Sequence, residues 1–482
     1  MVLYIRCHFI IPKSKQVHAY KEAIMMITGA ELFVKALKAE QVDTLFAYPG
    51  GQAIDLFNAL YGEQDIDVIL PRHEQGLVHA ADGYARSTGK VGVCLVTSGP
   101  GATNLVTGIA TANYDSVPLV CFTGQVPTGL IGNDAFQEVD IVGITRSICK
   151  YAVTVRKREE LAAVIKKAFL IARTGKPGVV VVDLPKDIQK EHGSDDYPEM
   201  IEIRGYKPKR SAHAGQLKKA LETLNHAKKP VFLAGGGVGI SHAHSEMLKL
   251  AEMTGVPVIT TIMGKGAIPT THDLYIGNLG IHGSYAANTA ISHCDVLFSI
   301  GTRFNDRITG KTGHFATHAA IIHIDIDPAS ISRNIEVDIP IVADAKTALL
   351  ALLEKAQKLD TQEWLEQIRQ WKSQYPLSMK TEGLTPEKVI RAINHTFDNA
   401  IIATDVGQNQ LWATQFLELS KKKQMLTSGG LGTMGYGFPA AIGAKIGNPS
   451  KDVVVISGDG GMQMNIQEMA TAICYELPIT IC

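Results

Sequence analysis

The sequence predicts an α/β protein of three doubly wound parallel-sheet domains, the last of them incomplete. Three observations predict it. The chain carries nearly unbroken apolar and β-branched runs, such as PGVVVVDLPKD, KPVFLAGGGVGI and DVVVISGDGG, which suit strands buried on both faces of a parallel sheet. These runs end in glycine or aspartate and alternate with helical stretches, as βαβ units do. The length of 482 residues exceeds what one hydrophobic core holds, so the alternation has to be shared among domains.

Residues 1–25 open with MVLYIRCHFIIPKSK, which is basic and apolar but lacks a long apolar stretch followed by a small-residue cleavage site. They read as a start extension ahead of Met26, with a transit segment as the alternative. The first domain spans 26–190. Thr28 and Glu31 make a capping box ahead of the apolar positions Leu32, Phe33, Ala36 and Leu37. VDTLFAYPGG, VGVCLVTSGPG, PLVCFTGQ and PGVVVVDLPKD supply its strands. A polar, proline-containing linker follows. The second domain, 211–353, repeats the pattern with KPVFLAGGGVGI, VPVITT, CDVLFSIGTRF and AAIIHIDIDP. A charged helical connector occupies 354–384. The third domain, 385–482, starts at Thr385-Pro386-Glu387, an N-cap with proline at the first helical position. IIATDVGQ, the glycine-rich SGGLGTMGYG before an alanine-rich helix, and DVVVISGDGG follow. Asn465 with Glu468 is expected to cap one more helix, and LPITIC begins a strand at the chain's end.

Lys+Arg and Asp+Glu both number 47, so no global field attracts nucleic acid or an anionic membrane. No basic run interleaves with aromatics, which argues against nucleic-acid binding. No run of about twenty apolar residues is present to span a bilayer. Seven scattered cysteines without a C-x-x-C pair read as reduced thiols, not as a zinc site or a disulfide scaffold.

Ligands of open α/β sheets sit beyond the carboxyl ends of the strands, and the chemistry-bearing motifs lie there. Gly458-Asp459-Gly460-Gly461 follows a strong strand. A carboxylate there, beside glycines that let a backbone come close, suits Mg²⁺, which takes one or two carboxylates plus phosphate oxygens. Asp405-Val406-Gly407-Gln408 closes another strand. Gly429 to Gly435 reads as the opening of a helix whose free N–H groups favour phosphate oxygens. In the first domain, Pro71-Arg72-His73-Glu74-Gln75 precedes the small-residue helix HAADGYARSTG, and Thr97-Ser98-Gly99-Pro100-Gly101 with Asn104 comes after it. Taken singly, each motif reads equally as a plain βα turn. Glu74 alone reads as a surface carboxylate at a helix start. GGGVG at 235–239 is a fragment of a dinucleotide fingerprint, with Ile240 where a final glycine would stand.

In company these residues say more. RHEQ with AADGYAR, then TSGPGATN, then GDGG, resemble the thiamine-diphosphate decarboxylase and carboligase superfamily. From Met26 onward, AYPGG, GNDAFQEVDIVGITR, VDLPKDIQ, RFNDRITGK, HIDIDPASI and GGLGTMGYGFPAAIGA are similar to the large catalytic subunits of acetolactate (acetohydroxyacid) synthases. The resemblance implies a pyrimidine-binding first domain, a central flavin-type domain and a diphosphate-binding third domain. It implies thiamine diphosphate, Mg²⁺ and a structural FAD. It also implies decarboxylation of pyruvate and condensation with a second 2-keto acid, the first common step of branched-chain amino-acid synthesis.

The resemblance assigns roles by position. Glu74 would hydrogen-bond the aminopyrimidine and so promote proton removal from the thiazolium carbon. Gln137 and Lys186 would be catalytic beside it. Val406, Gly407, Gln408, Gly432, Gly460 and Gly461 would line the cofactor, Met434 would prop it in a bent shape, and Asp459 would bind Mg²⁺. Phe136, Met263 and Arg307 would line the substrate channel, Arg307 with a fork suited to a carboxylate. Lys176, Gly236, His282, Gly283, Arg303 and Asp325 would meet FAD. Lys176 stands where the family often has arginine, Gln52 where a small residue is usual, and Asn305 where an aspartate is usual. A homodimer, a small regulatory subunit and a cytoplasmic location of bacterial type are implied, or a plastid if residues 1–25 are a transit segment. In the superfamily an asparagine after the next strand completes the Mg²⁺ shell. The chain stops at Cys482 inside that strand, so C-terminal truncation is expected and an inactive fragment is one alternative. The other is a sibling thiamine-diphosphate carboligase.

Overall fold

The computed structural model describes residues 26–208, 210–379 and 382–482. The expected start extension lies outside the described residues. Three parallel sheets account for the three alternating segments. The first contains β2 (Thr44–Ala47), β3 (Asp67–Ile69), β4 (Gly92–Val96), β5 (Leu119–Gln125), β6 (Tyr151–Thr154) and β7 (Val179–Pro185), in the order β3-β2-β4-β5-β7-β6. The second contains β9 (Pro230–Ala234), β10 (Val258–Thr260), β11 (Tyr275–Asn278), β12 (Val296–Ile300), β13 (Ala320–Asp325) and β14 (Ile339–Val342), in the order β11-β10-β9-β12-β13-β14. The third contains β15 (Ala400–Thr404), β16 (Gln424–Leu426), β17 (Asp452–Ile456) and β18 (Thr480–Ile481), in the order β16-β15-β17-β18. The central strands β5, β7, β9, β12 and β15 are buried along their whole length. Helices on both faces cover them, which is why the sequence shows continuous apolar runs in place of alternation.

Two of the expected helix starts hold. Thr28 Oγ1 accepts from Glu31 N at 3.1 Å while the Glu31 carboxylate accepts from Thr28 N at 2.7 Å. Thr385 caps helix Pro386–Thr396, with proline in its first turn. LPITIC does supply a strand: β18 pairs in parallel with β17 through Val454–Thr480 and Val455–Ile481. The connector helix Gln362–Gln374 buries Trp364 and Ile368 in the core of the central domain.

Two features depart from the sequence reading. β1 (Met26–Thr28) and β8 (His192–Ser194), three residues each, form a small antiparallel ladder, and segments that short carry no period to read. Asn465 does not cap the last helix. Its side chain donates to Gly435 O at 2.7 Å, and helix Glu468–Cys474 has no side-chain cap. The Glu468 carboxylate instead leaves the third domain, accepting from Arg72 N and His73 N of the first at 3.0 and 3.1 Å.

The first and third domains are joined along helices Glu74–Thr88 and Gly437–Gly447. They touch backbone to backbone: a Cβ on Gly83 would lie 2.0 Å from Ala440 O, and one on Gly443 would lie 1.8 Å from Ala80 O. Beside this contact Arg86 is buried between two carboxylates, 2.6 Å from Asp82 and 3.0 Å from Asp115. It also donates to Thr427 O at 3.0 Å, and Tyr436 donates to Asp82 at 2.7 Å. The charges are paired and hydrogen-bonded, as buried ions have to be. Among the described residues, no helix is long and apolar enough to cross a membrane.

Candidate active site

Three groups of residues stand at the carboxyl ends of the three sheets. In the first domain, Glu74 is the opening residue of helix Glu74–Thr88, capped by His73, whose Nδ1 accepts from Gln75 N at 3.1 Å. Glu74 Oε2 accepts from Asn104 Nδ2 at 2.9 Å, and Gly101 leaves open space beside the other oxygen. The rim continues through Thr97, whose Oγ1 accepts from Gln52 N at 3.2 Å. Lys186 reaches the same rim, donating to Gly51 O at 2.6 Å. Gln137 is held in the left-handed region, φ 59°, against Gly99, where a Cβ would lie 2.7 Å from Gln137 O. A non-glycine residue in that region marks a constrained position. The structure thus brings Glu74, Gln137 and Lys186 onto one rim, with Phe136 projecting 83% exposed beside it.

In the third domain the organiser is Asp405. Its carboxylate, buried at the end of β15, accepts from Val406 N at 2.8 Å and from Gly435 N and Gly437 N at 3.0 Å each. This corrects the expectation of free amides at the start of the alanine-rich helix. Those N–H groups are already committed, and Thr433 N donates to Ser428 Oγ. What remains is a glycine floor, half-buried at Gly458 and Gly460 and closed at Gly461 against Asp405. A Cβ on Gly460 would sit 3.2 Å from Met434 Cε, and one on Gly461 would sit 2.3 Å from Asp405 Oδ1. Gly407 and Gly432 take positive φ of 130° and 72°. Val406, Gly407, Gln408, Gly432, Met434, Asp459, Gly460 and Gly461 therefore gather around the ends of β15 and β17. Sequence reasoning missed Asn409, which lies between the two strand ends. A Cβ on Gly458 would stand 3.4 Å from its amide nitrogen, and its Oδ1 is buried without a partner. Its signal was present: an amide in the first helical turn after Gly407.

This donor set fits a diphosphate with Mg²⁺. Among the described residues, no group of three or more His, Cys, Asp or Glu is placed to hold a metal by itself. An exposed Asp459 carboxylate beside the half-buried backbone of Gly458 and Gly460 matches an ion that draws its other oxygens from phosphate and water. The unpaired Asn409 oxygen is a further unfilled position.

The third group lines a cavity of about 350 Å³ between the central domain and its neighbours. Lys176, Gly236, His282, Arg303 and Asp325 all face it, as do Met263, Arg307 and Asn305. Gly283 does not: it closes a tight turn, where a Cβ would lie 2.4 Å from Asn278 O. The cavity exists because glycines meet at the strand ends. A Cβ on Gly235 would strike Gly301 O at 2.2 Å. Burial and the nearby Arg307 push the His282 ring below its ordinary pKa. Asp115 Oδ1 and Ser241 Oγ, two of the lining residues' polar atoms, are buried without partners. Unsatisfied buried polar atoms in a glycine-lined cavity of mixed polar and apolar wall fit a dinucleotide-like group such as FAD.

Comparison with known proteins adds the family. The model described as "Thiamine pyrophosphate enzyme, N-terminal TPP binding domain" matches residues 27–144. The central-domain model of the same enzymes matches 217–352, and the C-terminal TPP binding domain matches 405–482. A probable acetolactate synthase large subunit of Methanocaldococcus jannaschii is 50% identical over 94% of this chain and 79% of its own length. The chain belongs to the acetolactate synthase large-subunit family. The large subunit of isozyme 3 from Escherichia coli is 47% identical over 95% of this chain and 82% of its own. A third member, from Cyanidium caldarium, is 45% identical over 96% and 82%. In this acetolactate synthase family member, the N-terminal model covers Glu74 and Gln137 of the rim and the C-terminal model covers the Asp405–Gly461 cluster. It is a thiamine-diphosphate enzyme by family.

Proposed function

We propose that the chain is the catalytic subunit of an acetolactate synthase. It decarboxylates pyruvate and joins the remaining two-carbon unit to a second pyruvate, giving 2-acetolactate, or to 2-ketobutyrate, giving 2-aceto-2-hydroxybutyrate. The observation that carries this reading is that one chain holds both halves of a thiamine-diphosphate clamp, at about half identity to named synthases over nearly its whole length. Thiamine diphosphate, when bound, supplies an acidic thiazolium carbon and an electron sink for decarboxylation.

The chain's own residues position and protect that chemistry. Glu74, oriented by Asn104, would hold its carboxylate toward a bound aminopyrimidine and would hold or release a proton at that oxygen. Asp459 holds Mg²⁺, with Gly460, Gly461, Gly407 and Asn409 admitting the diphosphate. Val406, Gln408 and Gly432 would line the cofactor and Met434 would pack against it. Gln137 and Lys186 bind near the reacting carbonyl, and Phe136, Met263 and Arg307 guide the second keto acid. FAD, held by Lys176, Gly236, Arg303, His282 and Asp325, is structural and carries no net redox change. Two copies of the chain assemble in the cytoplasm, with Glu74 of one facing the diphosphate half of the other. A small regulatory subunit joins them, in keeping with the "large subunit" names of the relatives. The test is direct: incubate the purified chain with pyruvate, thiamine diphosphate, Mg²⁺ and FAD, and measure 2-acetolactate and oxygen. Acetolactate without oxygen uptake is expected. Absence of product, or oxygen consumption matching pyruvate loss, rejects the reading.

A further inference from the structure

A second cavity, of about 1110 Å³, lies where the three domains meet. It shares Gly236, Met263 and Asp115 with the smaller cavity, and most of its wall serves no role described so far. The first domain contributes Gly89, Lys90 and Arg173, the central domain His242, His244 and Lys265, and the third Lys421, Lys422 and Lys423. Direct contacts fix these walls together. Thr270 and Leu419 exchange hydrogen bonds of 2.9 and 3.0 Å, and a Cβ on Gly266 would lie 3.4 Å from Leu419. The His242 ring lies 3.7 Å from the position of a Cβ on Gly89. Gln424, just past the lysines, donates to Arg86 O at 3.1 Å.

The charge on this wall is one-sided. Its three carboxylates are already committed: Glu40 to Lys166 and Arg173, Asp43 to Lys90, and Asp115 to Arg86. Among the described residues, Lys265, Lys421 and Lys422 have no carboxylate within ion-pair distance. Lys265 sits over the Tyr275 ring, 5.8 Å from its centroid. Burial pushes its ammonium down to about 7, and Glu418 offsets this only in part. Burial, His242 and Lys421 likewise hold His244 below its ordinary range, against Glu246. A partly desolvated Lys265 beside the exposed Lys421 and Lys422, with no carboxylate paired to any of them among the described residues, is an arrangement that an anion stabilises.

We propose that this three-domain junction binds a small organic bisphosphate, held by Lys265, Lys421 and Lys422 with the His242–His244 turn. Cations contributed by two domains to one cavity suit a ligand with two anionic groups, and a cavity of about 1110 Å³ in a chain of zero net charge suits a metabolite over a polymer. The lysines lead through β16 straight into the Gly429–Gly435 loop that carries Met434, so an occupant would also steady that loop.

The test uses the holoenzyme saturated with thiamine diphosphate, FAD and buffered Mg²⁺. Fructose 1,6-bisphosphate is titrated in by calorimetry, with fructose as control, and adenosine diphosphate asks whether a nucleotide serves equally. One site per chain is expected for fructose 1,6-bisphosphate and for adenosine diphosphate, and none for fructose. Binding should weaken at least about tenfold in Lys421→Ala/Lys422→Ala, whose exposed positions spare the fold, and remain in Asp459→Asn. Bound ligand should also slow acetylation of Lys265, read by peptide mass spectrometry. No binding, equal binding by the double variant, loss in Asp459→Asn, or unprotected Lys265 each overturns the proposal.

Discussion

At the scale of single residues, the sharpest expectation concerns Glu74. Its carboxylate has one fixed partner, Asn104, and an open side toward Gly101. Glu74→Gln keeps the shape and the hydrogen-bonding capacity but removes the basic oxygen. Acetolactate formation should fall by about 10²-fold or more, while thiamine-diphosphate affinity, read by calorimetry, changes little. Wild-type turnover in the variant would contradict the role proposed for Glu74. His79 offers a test of the same grain in the buried seam. It is fully buried, edge-on to Tyr436 at 5.5 Å, and neither ring nitrogen has a partner. Burial, helped by Arg86, lowers its pKa from 6.5 to about 3. Between those values the unfolded chain binds a proton that the folded chain refuses. The stability contribution is therefore whole above about pH 6.5 and is lost as pH falls toward 3. Urea unfolding of His79→Leu should lose less free energy between about pH 7 and pH 5 than the wild type does; equal losses in both proteins would contradict this.

At the scale of elements, the seam between helices Glu74–Thr88 and Gly437–Gly447 controls how the first and third domains meet. Gly443→Ala places a methyl 1.8 Å from Ala80 O, with only backbone to yield. It should cost about 1–3 kcal/mol or more, read as a lowered urea midpoint, whereas the open Gly313→Ala should leave the midpoint nearly unchanged. Arg86 belongs to the same seam. Arg86→Met strands Asp82 and Asp115 as buried unpaired carboxylates, a loss of about 3–5 kcal/mol. It also removes the cation that fixes Asp115 Oδ2, the oxygen that accepts from Gly429 N at 3.1 Å. Weaker thiamine-diphosphate binding should therefore accompany the lost stability. If urea unfolding shows no loss, the ion network is not what joins these helices.

At the scale of the whole molecule, apolar side chains remain exposed around the proposed cofactor clamp. They include Phe136 on the first domain and Met464, Ile466 and Ile473 on the third, Ile473 being 77% exposed. Patches of this kind mark association surfaces. Sedimentation should find two or more copies per particle at micromolar concentration. Activity should fall on dilution faster than in proportion to protein. Specific activity that stays constant across the monomer–dimer transition would show that each chain works alone.

Much of this was legible in the residue order, for reasons that are local. Continuous β-branched runs fixed three parallel sheets, because strands covered on both faces have no polar side to interleave. Thr28 with Glu31 and Thr385 with Pro386 fixed helix starts, because capping acts within one turn. Glu74, Asp459 and Met434 were picked out by motif, and each stands at the carboxyl end of a sheet. Long-range partners were not legible. Asp405 collecting the amides of Gly435 and Gly437, Glu468 crossing to Arg72 and His73, and Arg86 locking two domains are pairings of residues up to hundreds of positions apart. A hydrogen bond between them depends on distance in space, which no spacing along the chain encodes. The sequence by itself determined the α/β class, the family and the chemistry-bearing residues, since these follow from residue type and short-range order. Only the tertiary structure decided which amides were already committed and where three domains leave unpaired cations around a cavity, because both depend on what the folded chain brings within contact.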